Sequence, residues 1–105
     1  MNIRFEYLYR DAGNFKNWGE VVFSNPNEVP ADAAALMAEK VLIDHAYFVA
    51  GRAGVPDLHF SECNEELDHS WHEAHAFLST DEQPTDAWTR NIEEFIESLR
   101  SASIE

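Results

Sequence analysis

Apolar and polar side chains alternate most regularly at the start of the chain, over residues 2–10. A period of two predicts a half-buried β-strand. Turn-forming residues follow at 11–17, and residues 18–24 predict a second strand, so the two strands form a hairpin. The first strand presents two sets of side chains, one comprising Ile3, Phe5, Tyr7 and Tyr9 and the other Arg4, Glu6, Leu8 and Arg10.

Two later segments show the period of an amphipathic helix. Residues 30–45 carry an apolar stripe at helical spacing, and Pro30 suits the first turn because its missing N–H is not needed there. Residues 86–100 carry a second stripe, and Thr85 is placed as its N-cap. The sequence therefore predicts two helices that each bury one face.

The middle of the chain gives weaker patterns. Residues 46–60 are expected to be extended, with a short strand near 47–50, and residues 61–69 are expected to be an acidic loop. Residues 70–79 are predicted to form a strand, although Glu-Ala-His-Ala within it is also compatible with a helix. The predicted strand has Trp71, Glu73, His75 and Phe77 on one side and His72, Ala74, Ala76 and Leu78 on the other.

These elements predict the α+β class. In the order β-β-α-(β)-β-α, a small and mainly antiparallel sheet carries two helices on one face, giving a two-layer sandwich. A chain of 105 residues makes one domain, which we assign to residues 1–105. The other sheet face is open in this arrangement, and an open face that mixes polar and aromatic side chains invites a partner or self-association.

The charge of the chain narrows the classes of partner. Seven Lys and Arg against 20 Asp and Glu give a formal net charge of −13. This field repels nucleic-acid phosphates and anionic membranes, whereas it attracts a basic protein or a metal cation. With one cysteine, no signal peptide and no apolar stretch long enough to span a membrane, we expect a cytoplasmic protein.

A run of histidines is the most specific candidate for metal binding. Three of the five histidines fall within seven residues, and imidazole and carboxylate groups are ligands for divalent metals. The spacing differs from the His-Glu-x-x-His helix of metalloproteases. Histidines at a strand edge, satisfied by hydrogen bonds, are the structural alternative. On a strand, His69, Glu73 and His75 share one face, whereas on a helix the shared set is His69, His72 and Glu73. The candidate metal ligands are therefore His69, His72, Glu73 and His75.

A second candidate is a binding surface near the hairpin loop. Exposed aromatic and arginine side chains are common anchors of protein interfaces. The alternative is a loop whose Asp and Asn side chains cap its own backbone. The candidate binding residues are Tyr9, Arg10, Asp11, Asn14, Lys16 and Trp71.

Several short motifs also resemble those of a group of small bacterial proteins to which no biochemical role is attached. The motifs are Tyr9-Arg10-Asp11, Asn14-Phe15-Lys16, Val21-Val22-Phe23, Gly54-Val55-Pro56-Asp57-Leu58, His72-Glu73 and Thr80-Asp81-Glu82-Gln83-Pro84-Thr85. The resemblance spans most of the chain. It implies a small bacterial domain and no catalytic residue.

Together these patterns favour a non-catalytic protein-interaction module, of an immunity or regulatory type, that caps a basic partner. The alternative is a metal-binding protein or small metal-dependent hydrolase built on the histidine run. A homodimer joined through the open sheet face is a third hypothesis, compatible with the first. The sequence predicts no cofactor apart from a divalent metal in the alternative case.

Overall fold

The protein is described by a computed structural model for residues 1–11, 13–59 and 71–103. In chain order its elements are β1 (Asn2–Arg10), β2 (Lys16–Phe23), α1 (Ala31–Glu39), β3 (Tyr47–Phe48), α2 (Ala50–Ala53), β4 (His72–Thr80) and α3 (Ile92–Ala102). None of the helices in these described segments is long and apolar enough to cross a membrane.

The four strands form one antiparallel sheet in the order β2-β1-β4-β3, which confirms the predicted α+β class. The alternation predicted for β1 is also confirmed, because Ile3, Phe5 and Tyr7 are fully buried in the core. We call the face that carries these side chains the inner face, since the helices pack there, and the opposite one the outer face. Arg4 and Glu6 lie on the outer face and are half-buried.

The core lies between the inner face and the helices. Small residues of α1 and α2 pack closely, and α3 contributes larger apolar side chains such as Phe95. The Phe95 ring stacks on Phe23 with centroids 4.1 Å apart and packs against Phe5 at 5.0 Å. Aromatic contacts of this kind supply much of the buried area in a domain of this size.

A β-bulge in β4 corrects the predicted assignment of its faces. Tyr7 pairs with Ala74 and Glu6 pairs with Ala76, so His75 is the extra residue between them. The bulge shifts the alternation by one position. Phe77 therefore pairs with Phe5 and packs on the inner face rather than beside His75 on the outer face.

The last helix begins six residues later than predicted. Asn91, not Thr85, is its N-cap: the Asn91 side chain accepts from the Glu94 N–H, and the Glu94 side chain accepts from the Asn91 N–H. The Thr85 hydroxyl instead accepts a 2.9 Å hydrogen bond from the backbone N–H of Val22. It thereby satisfies a donor on the edge strand β2.

The predicted helix over 30–45 is also shorter, because α1 ends at Glu39. Asp44 and His45 follow with φ angles of 49° and 62°, a left-handed backbone conformation that ends any continuation of the helix. The segment expected to be extended contains the one-turn helix α2, which stops at Gly54 with a φ of 74°. The short strand expected near 47–50 is present as β3.

Candidate functional site

His72 lies at the start of β4 on the inner face and is fully buried. The rings of Tyr9 and Phe48 lie 5.2 and 6.0 Å from its imidazole, measured between centroids. Its Nε2 atom accepts a 2.9 Å hydrogen bond from the backbone N–H of Leu58. The imidazole therefore connects β4 to the segment that follows α2.

That segment, residues 56–59, is held against the inner face by β1 and β2. The Tyr7 hydroxyl donates to the Pro56 carbonyl at 2.7 Å, and the Asn17 amide donates to the Leu58 carbonyl at 3.0 Å. A side chain at Gly19 would place its Cβ 3.0 Å from Leu58, so the glycine permits this close approach. Burial raises the pKa of the Tyr7 hydroxyl, and nearby Asp57 raises it further.

Asp57, His59 and His72 converge at this point. One possible ligand atom from each lies within 4.8 Å of the other two, and Asp57 Oδ1 is 3.5 Å from His72 Nε2. Asp57 Oδ1 also accepts from the backbone N–H of His59 at 2.9 Å and contacts the His59 ring at Nδ1. Desolvation alone would raise the pKa of Asp57, but these contacts with His59 outweigh it and hold the pKa below its usual value.

Among the described candidate metal ligands, Glu73 and His75 lie on one sheet face and His72 on the other. Glu73 lies on the outer face, where its Oε1 accepts a 2.8 Å hydrogen bond from Arg10. His75 also lies there, with its ring 4.9 Å from that of Trp18. Since neighbouring residues of a strand point to opposite faces, neither shares a site with His72. His69 lies outside the described residues.

The outer face carries a pocket of about 250 Å³ lined by Glu6, Trp18, Gly19 and Glu20. Trp18 is 52% exposed although it is one of the largest apolar side chains. Arg4 binds three carboxylates beside this pocket, at 3.2 Å from Glu6, 3.3 Å from Glu20 and 2.7 Å from Glu82. Three carboxylates against one guanidinium leave two negative charges unbalanced, so the pocket is acidic. We call it the Trp18 pocket.

The predicted binding residues divide between the two faces. Tyr9 is fully buried on the inner face beside His59 and His72, with its ring 4.2 Å from that of His59. Arg10 lies on the outer face and pairs with Glu73.

Trp71 stacks on Tyr47 with ring centroids 5.8 Å apart. An open depression on the outer face is lined by these two rings together with Arg10 and Glu73. Arg10 and Trp71, separated by 61 positions in the sequence, are therefore neighbours.

The remaining predicted binding residues are in the hairpin loop. The Asp11 carboxylate accepts from the Phe15 N–H at 2.9 Å, and Asn14 adopts a left-handed φ of 66°. These features match the alternative in which the loop side chains cap their own backbone. Lys16 is exposed at the start of β2.

His72 was predicted as a candidate ligand from the sequence, but the other two residues of its cluster and the Trp18 pocket were missed. Asp57 and His59 lie 15 and 13 positions before His72, so only the tertiary fold brings them together. The Asp-x-His spacing directly after Pro56 is the one local signal of this cluster. The pattern predicts that Trp18 lies in a strand, but it does not predict that the indole is exposed. That exposure depends on which parts of the chain cover the outer face.

The fold and these two sites define a small α+β domain with an acidic aromatic pocket on one sheet face and a histidine cluster on the other. Comparison with protein families, with curated proteins and with solved structures found no match to this chain. The resemblance to small bacterial proteins therefore stays a hypothesis.

Proposed function

We propose that the protein is a non-catalytic interaction module that binds a basic partner protein through the outer face of its sheet. The observation that carries this proposal is the Trp18 pocket, which an exposed indole lines together with the paired residues Glu6 and Glu20. A lysine or arginine side chain of the partner would meet the indole through a cation–π contact and the carboxylates through ion pairs.

The size of the pocket favours a side chain over a free small molecule. Pockets for drug-sized ligands usually exceed about 300 Å³ and enclose most of the ligand. The Trp18 pocket is smaller, at about 250 Å³, and it opens onto the sheet surface. Tryptophan is among the residues that most often dominate protein–protein binding energy.

The surroundings of the pocket extend this surface. Leu78 is 38% exposed on the outer face, and Tyr47 and Trp71 add a second aromatic patch beside Arg10. A contact that covered both patches would combine apolar anchors with a polar rim, which is the usual composition of a protein interface. The single cysteine is consistent with a partner in the cytoplasm.

The net charge of −13 supports a basic partner over other classes. A field of this sign accelerates the encounter with a positively charged protein and repels acidic ones. Capping a basic partner is the action expected of an immunity-type or regulatory protein, which needs no catalytic group of its own.

Another exposed apolar surface lies between α1 and α3. Leu36 and Met37 are exposed there, next to a groove whose charged lining residues are Lys40, Glu93, Glu97 and Arg100. Two acidic and two basic groups give this groove no preference for a partner of either sign. The Trp18 pocket is acidic and therefore favours a basic partner, so we propose it, rather than the groove, as the binding site.

A nuclear magnetic resonance titration with short peptides tests the proposal. A peptide of Lys, Arg, Gly and Ser should move the Trp18 indole N–H signal and the Glu20 backbone amide, and the shift should shrink between about 50 and 400 mM salt because exposed charges are screened. A peptide with Glu in place of Lys and Arg should move neither signal.

The Trp88 indole provides the internal control, because it is also exposed but lies above the Arg90 guanidinium at 4.6 Å. Equal movement of the Trp18 and Trp88 signals would show non-specific attraction to an acidic protein. Movement of neither signal at low salt would contradict the proposal directly.

A further inference from the structure

Asp57, His59 and His72 present a set of donor atoms that none of the outer-face contacts uses. The set contains two imidazole nitrogens and one carboxylate oxygen, all within 4.8 Å of one another. Two histidines and one carboxylate are a common ligand set for zinc and for other divalent transition ions. Magnesium and calcium prefer sites made of oxygen ligands.

The spacing of these atoms suits a small ion. Bonds of about 2.0–2.1 Å in a tetrahedral arrangement separate neighbouring ligand atoms by roughly 3.3 Å. The Asp57 Oδ1 to His72 Nε2 distance is 3.5 Å, and the His59 ring at Nδ1 contacts the same carboxylate oxygen. A metal ion at this point requires the His59 ring and the carboxylate to separate, which an exposed Asp57 side chain allows.

The position of His72 makes the site more than a surface cluster. Its imidazole is fully buried and its position is fixed by strand β4 and by the rings of Tyr9 and Phe48. His59 is only partly exposed, and Asp57 reaches the cluster from the solvent side. Because the two outer ligands are partly exposed while His72 is fixed in the core, an ion can reach the site from solvent without disturbing the core.

One hydrogen bond competes with the ion. His72 Nε2 accepts from the backbone N–H of Leu58 at 2.9 Å, and this lone pair would instead bind the metal. The Leu58 N–H must then turn away from the ring. Ion binding and this hydrogen bond are therefore mutually exclusive. Binding of the ion should change the nuclear magnetic resonance signal of the Leu58 backbone amide.

We propose that Asp57, His59 and His72 bind one divalent transition-metal ion of the zinc class, which fixes the segment after α2 to the start of β4. The site lies on the inner face, whereas the Trp18 pocket lies on the outer one. Loss of either site leaves the other intact, so the two proposals fail independently.

Calorimetric titration of the tag-free protein with Zn²⁺ tests the site, with Mg²⁺ as the hard-ion comparison. We expect one Zn²⁺ per chain and no saturable binding of Mg²⁺. His59→Ala and Asp57→Asn should each weaken Zn²⁺ binding by about a hundredfold or more. His75→Ala is the matched control, because it removes a histidine from the same strand on the opposite face, and it should leave the affinity within about twofold.

His72→Gln separates metal binding from folding. The glutamine side chain oxygen can still accept from the Leu58 N–H, so the variant should fold, but an amide is a poor zinc ligand and binding should be lost. In the wild-type protein the Leu58 backbone amide signal should move when Zn²⁺ saturates the chain. Absence of 1:1 binding, binding unchanged in His59→Ala and Asp57→Asn, or a Leu58 signal that stays in place at saturation would overturn the proposal.

Discussion

Arg90 is the residue on which the packing of α2 against the start of α3 depends most directly. Its guanidinium forms hydrogen bonds with both carboxylate oxygens of Asp86 at 2.9 Å, and it donates to the carbonyls of Ala53 at 2.6 Å and Gly54 at 3.2 Å. The Asp86 and Arg90 side chains are 1% and 8% exposed. A buried charge in this position is stable only while its partner remains ionised.

Replacing Asp86 with asparagine should therefore destabilise the fold strongly. We expect Asp86→Asn to lower the free energy of unfolding by about 3–5 kcal/mol, because the Arg90 charge is left buried without a counter-ion. Glu97→Gln is the control, since it removes an exposed partner of Arg100 and should cost about 0–1 kcal/mol. Urea unfolding at pH 7 measures the free energy of unfolding of both variants. Equal losses of stability would contradict the claim that the buried ion pair between Asp86 and Arg90 stabilises the fold more than the exposed pair does.

The same pair gives a dependence on pH with a defined sign. Desolvation would raise the pKa of Asp86, but hydrogen bonds and charge from Arg90 outweigh it and hold the pKa below its ordinary value of 3.8. The unfolded chain thus takes up the proton first as the pH falls, so the stability that this group contributes is present above about pH 4 and lost below it. The acid-induced loss of stability should be smaller in Asp86→Asn than in the wild type.

At the scale of the elements, the hydrophobic pattern predicted which segments are helices and strands better than it predicted their ends. The faces of β1 follow from local alternation alone, and they were predicted correctly. The start of α3 was not, although Asn91 and Glu94 form a capping box; Thr85 is also an acceptable N-cap residue, but its hydroxyl is used by β2 instead. The bulge at His75 depends on pairing with β1, which no local pattern of β4 reveals.

The residues of the two candidate sites were harder to group from the sequence, because their proximity also depends on tertiary contacts. Arg10 and Trp71 could be chosen by residue type, since arginine and tryptophan are common at interfaces. The convergence of Asp57 and His59 on His72 depends on tertiary hydrogen bonds from Tyr7 and Asn17, which hold residues 56–58 against the sheet. The periodicity of apolar residues predicts local elements and does not predict contacts between residues this far apart in the chain.

The end of α2 provides a direct test of an element boundary. Gly54→Ala should destabilise the protein by about 1–2 kcal/mol, because Gly54 has a φ of 74° and a Cβ there would lie 2.5 Å from the Trp88 ring. Gly51→Ala is the matched control, since its Cβ would meet no atom within 4 Å and alanine is the better helix former. Thermal unfolding should show a lower Tm for the first variant and an unchanged or higher Tm for the second. The reverse order would show that α2 does not end at Gly54.

At the scale of the whole molecule, the net charge of −13 makes any two copies of the chain repel each other. Self-association through the outer face remains the other hypothesis for that surface. Analytical ultracentrifugation at low and high salt distinguishes a second copy of the chain from a basic partner as the molecule that binds the outer face. A dimer that forms with rising concentration and is lost in Trp18→Ala would assign the face to a second copy, whereas a monomer at all concentrations leaves it available for a basic partner.

The affinity for a Lys- and Arg-containing peptide in two double variants tests the proposed function most directly. Glu6→Gln with Glu20→Gln removes two charges at the Trp18 pocket, and Glu39→Gln with Glu97→Gln removes two exposed charges from the helices. We expect the first pair to weaken binding at low salt about tenfold, and the second to weaken it less than about twofold. Equal weakening in the two variants would contradict this function, because it would mean that the peptide responds only to the total charge of the protein.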